Sequence, residues 1–189
     1  HYTGYVAPPT PLPHPDRVGQ SEIIVSAGGG DVGAKVFDTC LAAAKRDPKR
    51  RWRLLLGGRD AAAKSAELMR AASENIIIEP ARPDFRQMLH HAAASLCGYN
   101  TALDVLQSGV RAVFIPFDAG NEVEQGLRAD ALAELTGIAV LRNAELTPDA
   151  LLDSLDQVAS APPRTPRTTG FDGAIETVRW TETMRKAMP

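Results

Sequence analysis

Gly98-Tyr99-Asn100-Thr101, with Asp104 one helical turn further on, has the residue types and spacing to hold an anion beside a polyol. An apolar, strand-like run over 93–97 leads into the glycine, and a short helix over 101–107 leads out. A glycine-opened turn from strand to helix leaves the first backbone N–H groups of the helix unpaired and aimed at whatever anion sits there. Asp104 is expected to turn its carboxylate toward the same crevice. After a second strand-like run, 112–116, a polar loop supplies Asn121, Glu122, Glu124 and Gln125. Carboxylates and side-chain amides are the groups that clasp vicinal hydroxyls in pairs. Together these residues read as a grip for a phosphorylated, sugar-containing ligand.

A second glycine stretch points to phosphate without saying which. Gly28-Gly29-Gly30-Asp31-Val32-Gly33 satisfies G-x-G-x-x-G between a strand and a helix, the context in which a dinucleotide fingerprint counts. That fingerprint also requires an acid at the end of the second strand to hold the ribose. The region reads Arg53-Leu54-Leu55-Leu56-Gly57-Gly58-Arg59, with no carboxylate before Asp60. Arg59 suits the 2′-phosphate of NADP, so an NADP-binding module is the rival reading. Glycines permit close backbone approach, and a helix N-terminus favours a diphosphate in either case.

Other polar residues carry less. His90-His91 closes a helix, where histidine suits the dipole better than it suits catalysis. The run Arg46-Lys49-Arg50-Arg51 reads as a solvated helix end, not a nucleic-acid patch. Cys40 and Cys97 lack C-x-x-C spacing and sit in apolar segments, which predicts buried, reduced thiols and a cytoplasmic compartment. No paired-aspartate metal motif occurs.

The elements that must position these residues alternate strand and helix. Strands are predicted at 22–26, 52–56, 75–78, 93–97, 112–116 and 138–141. Helices are predicted at 31–45, 60–72, 84–92, 101–107, 122–135, from Thr147-Pro148 onward, and at 171–186. For the helix over 84–92 the inward set is Phe85, Met88, Leu89 and Ala92; for 122–135 it is Leu127, Ala131, Leu132 and Leu135. Six such strands predict an α/β fold, a doubly wound, Rossmann-like, mostly parallel sheet with helices on both faces. Ligands of such sheets bind beyond the carboxyl ends of the strands, where strand order reverses. The glycines and lone polar residues concentrate there.

Prolines at 8, 9, 11, 13 and 15 exclude helix and central strand, so residues 1–20 read as a stiff interdomain linker. Residues 21–160 then form a ligand-binding domain, and 161–189 a second connector with a closing amphipathic helix. A stiff linker at the start leads us to expect the second half of a longer protein. The 189 residues, 44% hydrophobic and 23% charged with net charge -2, give no electrostatic reason for nucleic acid as partner. No apolar run is long enough to span a membrane.

With both loops in hand, the sequence resembles the C-terminal, donor-binding domain of GT-B glycosyltransferases, and within them family 28. The likeness runs from about residue 22 to 157. Gly28 to Ala34 matches that family's first phosphate loop, and Ser95 to Asp104 its second. Phe114-Ile115-Pro116-Phe117 with Asn121 to Gln125 matches its sugar loop. Asp104 stands where the family commonly has Glu, Glu124-Gln125 where it often has two glutamines, and Asp31-Val32-Gly33 where Ser-Gln-Gly is commoner.

The resemblance implies roles. Gly28, Gly29, Gly30 and Gly33, with Gly98, Tyr99, Asn100 and Thr101, would hold the diphosphate. Asp104 would take the ribose, and Glu79, Pro80 and Ala81 would frame the base through main-chain atoms. Asn121, Glu124 and Gln125 would bind the transferred sugar. It further implies a UDP-sugar as substrate, no bound metal or other cofactor, and an acceptor-binding N-terminal domain (or partner subunit) that supplies the base. Any peripheral membrane contact would fall to that other half, and this half alone would bind donor without transferring it. A non-catalytic nucleotide-sugar-binding domain is the remaining alternative.

Overall fold

The computed structural model describes residues 1–27, 31–70, 72–117 and 123–187, with the side chains of Asp31, Val32, Tyr99 and Ala187 left aside. Six strands form one sheet: β1 (Glu22–Ala27), β2 (Arg51–Leu56), β3 (Ile76–Pro80), β4 (Ala94–Cys97), β5 (Ala112–Phe114) and β6 (Ile138–Val140). Their order is β3-β2-β1-β4-β5-β6 and every pairing is parallel. This is the doubly wound arrangement that the alternating pattern predicts. Strand order reverses between β1 and β4, where Ser26 lies beside Cys97. No helix among the described residues is long and apolar enough to cross a membrane.

The described residues form seven α-helices: α1 (Asp31–Arg46), α2 (Ala61–Met69), α3 (Phe85–Met88), α4 (Ala102–Ser108), α5 (Glu124–Ala133), α6 (Pro148–Ser160) and α7 (Gly173–Ala187). Because successive side chains of a strand point to opposite faces, each strand feeds two cores. On one face Ile23, Val25, Trp52, Leu54, Leu56, Ile76 and Ile78 meet α1, α2 and α6. Helix α1 presents Val36, Phe37, Cys40, Ala43 and Ala44, an i, i+3, i+4 stripe. The Thr147 hydroxyl caps α6 by accepting from the Ala150 N–H at 3.2 Å, and Pro148 begins the helix. On the other face Ile24, Leu55, Cys97 and Phe114 meet Met88, Leu89, Val105 and Ala129 from the α3, α4 and α5 side.

Two expectations are corrected. Helix α3 is one turn long, not 84–92, because the chain beyond Met88 tightens into i−3 hydrogen bonds from His90, His91 and Ala92 on its way down to β4. Its predicted apolar set is nevertheless inward. Helix α5 keeps only part of its predicted phase: Leu132 packs against the core, but Leu127 is 69% exposed and Leu135 40%, while Gly126 and Ala129 are buried. Gly126 lies close to Arg142: a Cβ there would meet the guanidinium at 2.5 Å. Residues 1–20 form no helix or extended strand. They lie along the α3 and α4 side, with Val18 half-buried against the core and the His14 N–H donating to the Gln87 carbonyl.

Candidate functional site

The turn after β4 is built as the sequence suggests. Cys97 ends the strand, Tyr99–Thr101 make a single 3-10 turn, and α4 begins at Ala102. The Thr101 N–H donates to the Gly98 carbonyl at 3.3 Å, and the Ile115 N–H donates to the Cys97 carbonyl at 2.9 Å. Helix α4 stops at Gly109, whose φ of 72° is left-handed and whose Cβ would strike the Arg164 carbonyl at 2.7 Å. So α4 is fixed at both ends. Thr101 is buried, Asn100 is exposed, and burial pushes the Cys97 thiol up to about 12, leaving it inert.

Asp104, in the first turn of α4, is where the structure adds most. Its Oδ1 accepts from Arg86 Nε at 2.7 Å, and both side chains are about three-quarters buried. Arg86 Nη2 donates to Gln107 Oε1 at 2.6 Å and to the carbonyls of Pro9 at 3.2 Å and Pro8 at 3.4 Å. Gln107, 2% exposed, in turn donates from Nε2 to the Pro8 carbonyl at 3.0 Å. Oδ2 of Asp104 makes no hydrogen bond with the described residues. His90 lines the same crevice with a buried Nε2 that meets no described partner. Burial first, then the neighbouring charges of His91 and Arg86, lowers its pKa despite the Pro11 backbone.

The other predicted residues lie on neighbouring loops. Glu79 and Pro80 end β3, and the Ala81 N–H donates to the Leu56 carbonyl at 2.7 Å. The Glu79 carboxylate accepts from Arg53 Nη1 at 2.6 Å and from Arg82 at 3.5 Å, so its side chain belongs to an ion network and not to an open surface. Arg53 also grips Glu22, itself 3% exposed, at 2.5 and 3.1 Å. Desolvation lowers the Arg53 pKa, but its hydrogen bonds to Glu22 and Glu79 outweigh that and hold it above the ordinary guanidinium value. Beyond β5, Gln125 Oε1 accepts from the Phe117 N–H at 3.3 Å, and Glu124 is ion-paired with Arg128. Gly33 is buried in the first turn of α1. Gly28, Gly29, Gly30, Asn121 and Glu122 lie outside the described residues, as does the Tyr99 side chain. An open hollow of about 530 Å³ is lined by Asn100, Ala102, Leu103, Arg128, Tyr2 and Tyr5.

Sequence reasoning missed Arg86, Gln107 and the proline carbonyls. No local signal pointed to them, since α3 is a single turn and Arg86 lies as much in its last turn as in its first. Arg59 is exposed beyond β2. Among the described residues no group of three or more His, Cys, Asp or Glu side chains is disposed to hold a metal ion.

Solved structures share this architecture. The kitacinnamycin glycotransferase is 21% identical with a TM-score of 0.64, over 98% of this chain and 46% of that one. MurG of Acinetobacter baumannii is 20% identical with a TM-score of 0.58, over 85% of this chain and 45% of its own. The UDP-GlcNAc 2-epimerase of Methanocaldococcus jannaschii, solved with UDP-GlcNAc and UDP, is 10% identical with a TM-score of 0.62, over 89% and 47%. At such identities the likeness shows the fold, and this chain spans less than half the length of each. No curated protein matches it significantly. Residues 24–174, most of the chain, match the glycosyltransferase family 28 C-terminal domain, and the chain belongs to that family.

Proposed function

We propose that this chain is the donor-binding half of a nucleotide-sugar-dependent glycosyltransferase that moves a hexosyl or N-acetylhexosaminyl group onto an acceptor hydroxyl. The observation that carries the reading is the reversal of strand order between β1 and β4, with Gly98 and Asp104 leading out of one strand and the glycine-rich stretch out of the other. Ligands of doubly wound sheets settle at that point. Gly28, Gly29, Gly30 and Gly33, with Gly98 to Thr101, hold the diphosphate through backbone N–H groups. Asp104 holds the ribose, Glu79 to Ala81 border the base, and Asn121, Glu124 and Gln125 reach the sugar.

The acceptor oxygen attacks the anomeric carbon, the bond from that carbon to the phosphate oxygen breaks, and the nucleoside diphosphate leaves with the electron pair. Fixed N–H donors at the helix starts stabilise the charge that builds on the phosphates. The base that takes the acceptor proton belongs to an N-terminal domain or a partner subunit, so this chain alone binds donor and transfers nothing. Residues 1–20 and 161–189 form the connection to that half around a donor-binding body of 21–160. An outward apolar face on α7, with Ile175 and Val178 each 58% exposed, suits such a contact.

Calorimetry with UDP tests the reading. Binding by the wild-type chain that is lost in Asp104→Ala supports it; NADP binding that is lost in Arg59→Ala, with none to UDP, would replace it with the dinucleotide reading. Joining the missing half and assaying transfer separates an enzyme from a binding module.

A further inference from the structure

We propose that Arg86 is the positioning residue of the nucleoside site, acting through Asp104 and anchored by the proline-rich connector. The inference rests on the donor-binding reading and names a residue that reading does not contain. Its basis is the way one guanidinium is shared. Nε holds Asp104 Oδ1 at 2.7 Å, while Nη2 is tied to Gln107 Oε1 and to the carbonyls of Pro8 and Pro9. Arg86 is therefore gripped by α4 at two positions one turn apart and by the connector above them.

The consequence for Asp104 is orientational. A carboxylate on a free side chain rotates, and each hydroxyl it binds must offset that lost freedom. Here Nε of Arg86 holds one oxygen of the carboxylate and leaves Oδ2 to accept from a ribose hydroxyl. Gln107 completes the fixture. It is 2% exposed, its carbonyl accepts from Arg86, and its amide donates to the Pro8 carbonyl, so both polar ends are satisfied only when the connector is in place. The connector thus holds the arginine that holds the acid. Replacing any of the three loosens the same hydroxyl contact.

The test compares UDP with 2′,3′-dideoxy-UDP, which lacks the hydroxyls Asp104 would receive, by calorimetry on the 189-residue chain. Arg86→Met is expected to weaken UDP about tenfold, about 1.4 kcal/mol, and to leave the dideoxy analogue unchanged. Arg86→Lys, which keeps the charge without the fork, should fall between. Gln107→Met, similar in volume, should weaken UDP several-fold with the same indifference to the analogue. It also decides the matter if Arg86→Met does not fold. Equal losses for both ligands, or no loss in variants that melt as wild type does, would overturn the proposal. Wild-type binding to UDP that survives Asp104→Ala would overturn it while leaving donor binding intact. Absence of wild-type binding would remove both.

Discussion

The two faces of strands β1, β2 and β3 are built on different principles. One buries Ile23, Val25, Trp52, Leu54, Leu56, Ile76 and Ile78 against three helices. The other carries Ile24 and Leu55, and beside them Glu22, Arg53 and Glu79 bound to one another. That network continues through Arg82 to Asp84 at 2.6 Å, and from Asp84 to His14 of the connector at 3.1 Å. Apolar packing is non-directional and holds helices on both faces; on the second, fixed hydrogen-bonding partners also hold the connector, a segment that has no helix to offer. The site draws its supports from the second face.

The contrast can be broken by mutation. The largest loss is expected for Leu54→Ala on the apolar face, about 2–5 kcal/mol by denaturant titration, with no second substitution to repair it. Arg53→Met should cost less, about 1–3 kcal/mol, because Glu22 stays buried with only the long 3.3 Å contact from Arg51. Adding Glu22→Leu should recover most of that loss, since a buried pair is often replaceable by packed apolar groups. Failure of that rescue would mean the network is needed to seat the connector. On α5, Ala129→Leu should cost about 1–3 kcal/mol through overpacking, while Leu127→Gln, despite its larger apolar loss on paper, should change stability by less than about 0.5 kcal/mol.

The smallest effect is pH-dependent. The folded pKa of His90 is lowered, so its contribution to stability is present above the ordinary imidazole range and is lost as pH falls through the lowered folded value. Thermal midpoints followed from pH 7 downward should drop less steeply in His90→Gln. Asp84 acts further down: its hydrogen bonds with Arg82 outweigh desolvation and bring it to about 2, so its contribution is present above pH 4 or so and is lost on approach to that value. Asp84→Asn should flatten that lower limb.

How much of this was legible follows from range. Strand runs such as Ile23-Ile24-Val25 and the α1 stripe speak through their own periodicity, and with six alternations the parallel sheet follows. The glycine turn at 98 and the α6 cap are equally local. The phase of α5 was not legible, because tertiary packing turns Gly126 and Ala129 inward, Gly126 beside Arg142 sixteen residues on. Nor was the partner of Asp104, since nothing in the spacing of 86, 104 and 107 says that a proline-rich segment supplies the remaining acceptors. Residues 8, 9 and 11 announce stiffness; that the stiff segment lies against α3 and α4 is a tertiary fact.

The two free thiols fall on opposite sides of the sheet, Cys40 in the core under α1 and Cys97 in the core beside α4, each 1% exposed or less. The molecule thus carries its own pair of reporters. Pulsed alkylation, read cysteine by cysteine, would time the opening of each layer separately, and donor added beforehand should slow the Cys97 clock more than the Cys40 clock.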